Sequence, residues 1–142
     1  MYESITGLLG LMRRASALIL GEDGCVEAVS AGKARLLLLP SDASDKKTER
    51  AYKYTNGRSC QVIRLPFDEK IFSAAIGKSS CTMAAITDIG FADALLKQLQ
   101  KKFPDVYDES AFLVNSKFEK IKKRKYLKPG IKQSRKKTEN NR

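Results

Sequence analysis

Residues 36–39 are four consecutive leucines, with Arg35 before them and Pro40 after. Four residues are too few for a stable helix, and a proline at the fifth position prevents one from extending. The run therefore reads as a strand. Strand side chains alternate between faces, so leucine at every position requires both faces to be covered. A chain built around such a strand needs three layers, with helices above and below a sheet.

The rest of the first hundred residues supplies those layers. Ile5, Leu8, Leu9 and Met12 recur at the spacing of an amphipathic helix ending in Arg13 and Arg14. Residues 18–20 allow a short strand. Gly21-Glu22-Asp23 then opens a helix through Val26 and Val29 that stops at Gly32, a residue suited to a left-handed cap. After the leucines, Ser41-Asp42-Ala43-Ser44-Asp45 offers several N-cap oxygens for a helix ending at Asn56-Gly57. Residues 61–65 read as the next strand, and Asp68 caps a helix containing Ile71, Phe72, Ala75 and Ile76 before Gly77. Residues 82–86 read as another buried strand. Thr87 or Asp88 then starts a helix that turns Ala92, Leu95, Leu96 and Leu99 inward. This alternation predicts an α/β fold, a three-layer α/β/α sandwich with a mixed central sheet of about four strands.

The charge lies mainly outside this body. Of the 27 basic and 16 acidic side chains, residues 117–142 hold 12 and 2, a net of +10. Residues 1–116 hold the remaining 15 and 14, a net of +1. Tyr107, Ala111, Val114, Phe118 and Ile121 form one apolar stripe on a helix beginning near Asp108, with Lys117, Lys120, Lys123 and Arg124 expected on the opposite face. A packed helix with a solvated polar side and a basic helix resting on RNA both fit this pattern. From Lys132 onward almost no apolar side chain remains, so that stretch is expected to stay disordered alone. The expected organisation is a domain over residues 1–101, an added basic amphipathic helix over 102–126 and a polycationic tail over 127–142.

Several function classes fall away on composition. The chain has no histidine, which removes Ser-His-Asp and Cys-His catalysis and histidine-bearing zinc sites. Cys25, Cys60 and Cys81 are odd in number and widely spaced. They suggest small core residues in a reducing cytoplasm rather than disulfides, metal ligands or nucleophiles. The apolar stretch at residues 5–12 is short and has its charge order reversed for a signal peptide, and no stretch is long enough for a membrane span. Gly77-Lys78-Ser79 imitates the end of a phosphate-cradling loop. It lacks the required glycine five residues earlier, where Phe72 stands, and it lies between a helix and a strand rather than the reverse. Gly7 and Gly10, inside a helical pattern, predict close helix packing. Lys122-Lys123-Arg124-Lys125 is a candidate nucleic-acid patch. On composition alone, Gly21-Glu22-Asp23-Gly24 could be no more than a helix cap.

Several ordered motifs together resemble the ribosomal protein L-seven-Ae / L-thirty-e family, in particular its small bacterial YlxQ-like branch. They are Gly7-Leu8-Leu9-Gly10-Leu11-Met12-Arg13-Arg14-Ala15, Gly21-Glu22-Asp23, Ala31-Gly32-Lys33-Ala34-Arg35-Leu36, Ser41-Asp42-Ala43-Ser44, Ala75-Ile76-Gly77-Lys78 and Ile86-Thr87-Asp88-Ile89-Gly90. The resemblance spans about residues 3–101 and implies the same sandwich, RNA binding often at kink-turns, and no catalysis; no cofactor or metal is expected. It implies one RNA surface at Gly21, Glu22, Asp23 and Gly24, with Lys33 nearby, and a second at Gly77, Lys78, Ser79 and Ser80. Where family members that bind kink-turns tightly read Gly-x-Asn-Glu followed three residues later by lysine, this chain has Asp23, Gly24 and Glu27. Aspartate cannot donate the amide hydrogen bonds of asparagine, and Glu27 repels the phosphate a lysine would attract.

Taken together, the expected function is non-catalytic recognition of structured RNA, ribosomal or ribosome-associated, in the cytoplasm. Lys117, Lys120, Lys122, Lys123, Arg124 and Lys125 would give general affinity, with no membrane or small-molecule partner. The alternative is a protein-interaction module on the ribosome whose tail contacts RNA nonspecifically.

Overall fold

The computed structural model describes residues 2–126, with side chains to Arg124; the expected polycationic tail at 127–142 lies outside them. Ten elements follow one another: α1 (Glu3–Arg14), β1 (Leu18–Leu20), α2 (Glu22–Ser30), β2 (Leu36–Leu39), α3 (Asp45–Thr55), β3 (Gln61–Arg64), α4 (Glu69–Ile76), β4 (Ala84–Ile86), α5 (Ile89–Lys102) and α6 (Asp108–Tyr126). The strands form one sheet in the order β1-β4-β2-β3. β4 runs antiparallel to both neighbours, β2 and β3 run parallel, and the sheet is therefore mixed as expected.

The leucine run occupies an inner position and is fully buried. Leu36 and Leu38 face a core shared with Ile5, Phe72 and Leu95, from α1, α4 and α5. Leu37 and Leu39 face the other core, with Cys25, Val29 and Ala51 from α2 and α3. Each leucine removed from water is worth about 1.5–3 kcal/mol, so this strand ties the two outer layers together.

Local chemistry sets the element ends. The Lys47 N–H donates to Ser44 Oγ at 3.1 Å, the Ile71 N–H to Asp68 Oδ1 at 3.1 Å and the Phe91 N–H to Asp88 Oδ1 at 3.0 Å, each at its own helix start. At the end of α2, left-handed Gly32 and then Lys33 donate to the carbonyls of Val29 and Ala28. β4 is shorter than the expected 82–86. Thr82 is engaged by Lys47, and the Cys81 N–H donates to Ser73 Oγ at 2.9 Å, so before Met83, whose carbonyl accepts from the Gly21 N–H, side chains rather than a ladder hold the chain. Gly10 bears out the expectation of close packing, because a Cβ there would stand 3.3 Å from the Ala75 carbonyl oxygen. Gly7 does not, since a Cβ would meet nothing within 4 Å and only solvent faces that position.

α6 forms and lies against α5 and β3. Tyr107, Ala111 and Val114 are buried in the α1–α4–α5 core, while Phe118 and Ile121 are half-buried farther along. The Tyr107 hydroxyl donates to the Arg64 carbonyl at 2.6 Å, which fastens the α5–α6 connection to β3 at the edge of the sheet. Burial raises the Tyr107 pKa, so this hydroxyl keeps its proton. The buried Asp93 carboxylate accepts from Lys97 Nζ at 2.8 Å and from Asn115 Nδ2 at 3.0 Å, which joins α5 to α6 without an unpaired charge. No described helix is long and apolar enough to cross a membrane.

Candidate functional site

The register of β1 on β4 sets Leu20 opposite Ala84, so the start of α2 and the loop before β4 meet at one end of the sheet. The Gly21 N–H donates to the Met83 carbonyl at 2.9 Å, with Gly21 at a φ of 90° that favours glycine. No side chain caps α2. Its first helical hydrogen bond runs from the Cys25 N–H to the Gly21 carbonyl at 3.1 Å, so the amides of Glu22, Asp23 and Gly24 precede the helical ladder. The parallel β2 and β3 end at the same side of the sheet, so α3 and α4 also begin there, but each of those helices is capped by its own Ser44 or Asp68.

The four residues 21–24 divide into different tasks. Asp23 is exposed, as is Glu27 one turn farther along. Gly24 is a packing residue: a Cβ there would stand 2.8 Å from Ile19 Cγ2, so glycine lets α2 lie close on β1. Glu22 turns inward to α3. Its carboxylate accepts from Arg50 Nε at 2.6 Å and Arg50 Nη2 at 3.0 Å, from the Tyr54 hydroxyl, and lies 3.5 Å from Lys47 Nζ. The Arg50 and Tyr54 hydrogen bonds hold its pKa far below the usual carboxylate range, at about 2. The same contact raises the Tyr54 and Arg50 values. Lys47 also donates to Thr82 Oγ1 at 2.6 Å, which links the Glu22 cluster to the loop before β4.

Lys47, Arg50, Tyr54 and Thr82 were missed by reading the sequence. A signal was present for three of them: spacings of 3 and 4 set Lys47, Arg50 and Tyr54 along one face of α3. Nothing local indicated that this face meets Glu22.

The second expected surface is exposed from Gly77 through Ser80. Gly77, at a φ of 72°, ends α4, and the N–H groups of Gly77 and Lys78 donate to the carbonyls of Ala74 and Ser73. Ser80 Oγ donates to Glu69 Oε2 at 2.8 Å. Lys78 and Ser79 border a depression that also contains Asp42, Asp68 and Glu69, so part of this surface is acidic. Lys33 is not brought to this end. It follows α2, roughly 13 Å of helix away from Gly21.

On α6, Lys120, Lys122, Lys123 and Arg124 are exposed. Lys122 lies 4.9 Å from the centre of the Phe118 ring and 3.5 Å from Glu119 Oε2. Lys117 differs from the expected placement opposite the apolar stripe: it is half-buried and borders a groove beside Val114. The Lys125 side chain falls outside the described ones. All three cysteines are free and buried, and burial raises the thiol of Cys25 to about 12 and that of Cys60 to about 11, so both remain protonated. Among the described residues no group of three or more cysteine, aspartate or glutamate side chains is gathered as a metal site would require.

These features define a small layered α/β/α domain with an uncapped helix start tied to the loop before β4. A 15.5kD RNA binding protein from Giardia lamblia has this fold, with a TM-score of 0.55 and 16% identity over 68% of this chain and 82% of that one. A Bacillus halodurans protein of unknown function aligns with a TM-score of 0.61 and 29% identity over 66% of this chain and 93% of its own. No family model matches the chain. The RNA-binding protein YlxQ of Bacillus subtilis is 33% identical over 96 residues, which cover 65% of this chain and 91% of that protein. The chain belongs to the YlxQ-like branch of the ribosomal protein L-seven-Ae / L-thirty-e family.

Proposed function

We propose that the protein is a non-catalytic RNA-binding protein that meets structured RNA at the start of α2 and the adjoining loop of residues 77–80. The observation that carries this reading is the uncapped α2 start, tied to the loop before β4 by the Gly21 N–H on the Met83 carbonyl, while α3 and α4 begin at the same end under their own caps. Amides at a helix start can hold phosphate, and nearby polar groups can meet the splayed bases of a bent RNA. The names of the Bacillus subtilis and Giardia lamblia proteins agree with RNA as the ligand class. Glu22 stands here as a brace for Arg50 and Lys47 rather than as an RNA contact, since its carboxylate is already occupied.

The RNA is of the kink-turn kind and ribosomal or ribosome-associated, and the setting is the cytoplasm, which the three free cysteines favour. Exposed cations of α6, followed by those of the tail, add affinity that reads no sequence. Asp23 and Glu27, exposed along α2, reduce the grip on phosphate at the specific surface.

The test is fluorescence anisotropy of the full chain on a kink-turn RNA and on a straight duplex of equal length. Asp23→Asn is expected to be neutral or to tighten kink-turn binding, Glu27→Lys to tighten it about threefold, and Lys78→Glu to weaken it by a similar factor. Three unchanged affinities would move the binding surface elsewhere. Capture of partners with and without ribonuclease separates this reading from the protein-interaction one, because a protein partner survives digestion.

A further inference from the structure

At the opposite end of the sheet, where β2 and β3 begin and α5 starts, a groove of about 140 Å³ opens between the sheet and α6. Arg35, just before β2, and Lys117, on α6, border it, with Ser59 and Gln61 adding polar groups and Ile89 and Leu113 forming an apolar wall. Both cations are half-buried. Among the described residues neither has a carboxylate partner, and no acidic side chain lines the groove. Acids close in sequence to the lining residues are engaged elsewhere or border another depression. Asp88 accepts from the Phe91 N–H at 3.0 Å to cap α5, Glu119 lies 3.5 Å from Lys122, and Glu109 borders the neighbouring depression beyond Gln61.

Two cations brought together from positions 35 and 117 repel each other, and partial burial reduces the water that would screen them. An anion between them removes that repulsion. The apolar wall argues for more than a bare anion, because Ile89 and exposed Leu113, the latter 40% accessible, present a surface against which the sugar of a nucleotide can rest. Lys117, Lys120 and Arg124 then continue from the groove at helical spacings of 3 and 4, a line of about 10 Å that can follow a phosphate backbone.

We propose that this groove holds one nucleotide of a single-stranded RNA segment, with its phosphate between Arg35 and Lys117 and its sugar against Ile89 and Leu113. This rests on the RNA-binding reading above but assigns a second surface, across the sheet from the α2 start. One RNA would then contact both ends of the domain, its bent structured part at α2 and an unpaired extension at Arg35 and Lys117.

The test uses the full chain with three RNAs: hexauridylate, a kink-turn RNA, and the same kink-turn RNA carrying a six-nucleotide single-stranded extension. Arg35→Glu and Lys117→Glu should each weaken hexauridylate binding by about tenfold. They should also cancel the affinity gained from the extension, while the unextended kink-turn RNA loses no more than it does with Lys101→Glu. The double variant should lower the slope of log affinity against log salt for hexauridylate by about 1.4. Lys101→Glu makes the same charge change on exposed α5 surface and is the control. An equal loss with Lys101→Glu would reduce the effect to net charge and overturn the groove. Arg35→Gln and Lys117→Gln should act in the same direction more weakly, so a folding defect of the reversals, checked by thermal unfolding, leaves the question decidable. Full hexauridylate affinity in folded variants of both kinds overturns the proposal. Failure of the wild-type chain to bind the kink-turn RNA would instead count against the α2 surface, whatever hexauridylate does. Competition by an acidic peptide as strong as that by hexauridylate would assign the groove to a protein carboxylate and also overturn it.

Discussion

The two ends of the sheet treat charge in opposite ways. At the α2 end, Glu22 engages Arg50, Lys47 and Tyr54, and Asp68 caps α4. There Lys47 and Arg50 are matched from within, and the proposed surface consists of backbone amides and an exposed loop that carries Lys78. At the other end, Arg35 and Lys117 meet across a groove that no carboxylate lines, and α6 carries further cations away from it. Net charge alone therefore does not locate a binding surface. In the proposed reading the nearly neutral body offers amides to a shaped ligand, whereas the exposed cations of α6 offer charge to any polyanion.

The largest expected break in this comparison comes from deleting residues 117–142. They hold 12 cations against 2 acids. If about five of these cations engage phosphates, the slope of log affinity against log salt flattens by roughly 3 to 5 units. Affinity at low salt falls for every RNA, while the preference for a kink-turn RNA over a straight duplex persists. An unchanged slope would show that this region is not on the RNA and would favour a protein partner.

A smaller effect is expected from truncation after Lys101. The core of the five preceding helices and four strands remains, so we expect residues 1–101 to unfold cooperatively on their own. The loss of buried Tyr107, Ala111 and Val114, with the Tyr107 bond to Arg64, should lower stability by about 3 kcal/mol. Thermal melts of the two lengths decide the matter. Loss of a cooperative transition would make α6 part of the domain rather than an addition.

The smallest effect sharpens the role of Glu22. Its folded pKa of about 2 lies below the ordinary 4.5, so its ion pairing stabilises the protein above pH 4.5 and is lost as pH falls through about 2. Glu22→Gln should cost about 1–2 kcal/mol at pH 7, and the gap between the two melting curves should close across that window. A gap that stayed constant down to pH 2 would mean that shape and packing, not charge, account for the cost.

Reading the chain alone identified the helices and strands, because each signal is confined to a short window. The leucine run before Pro40, the caps at Ser44, Asp68 and Asp88, the left-handed glycines at 32 and 77, and the apolar stripe from Tyr107 all act between neighbours in sequence. The motifs also placed the chain in its family. Side-chain duties within the candidate surfaces were less legible. Gly24 stands against Ile19, and Glu22 meets Arg50 and Tyr54, 28 and 32 residues away, pairings that no local signal carries. Lys33 followed its neighbours in sequence but lies at the far end of α2.

What the sequence determined by itself was therefore the kind of element at each position, the faces each must bury and the distribution of charge along the chain. The tertiary structure decided which charges meet. Glu22 reaches Arg50 because α2 and α3 cover the same face of the sheet. Arg35 and Lys117 come to one groove because α6 returns along α5 to the sheet edge at β3. Propensity and periodicity act over a few residues, whereas Coulomb and hydrogen-bond energies depend on separation in space, which strand order and layer packing set.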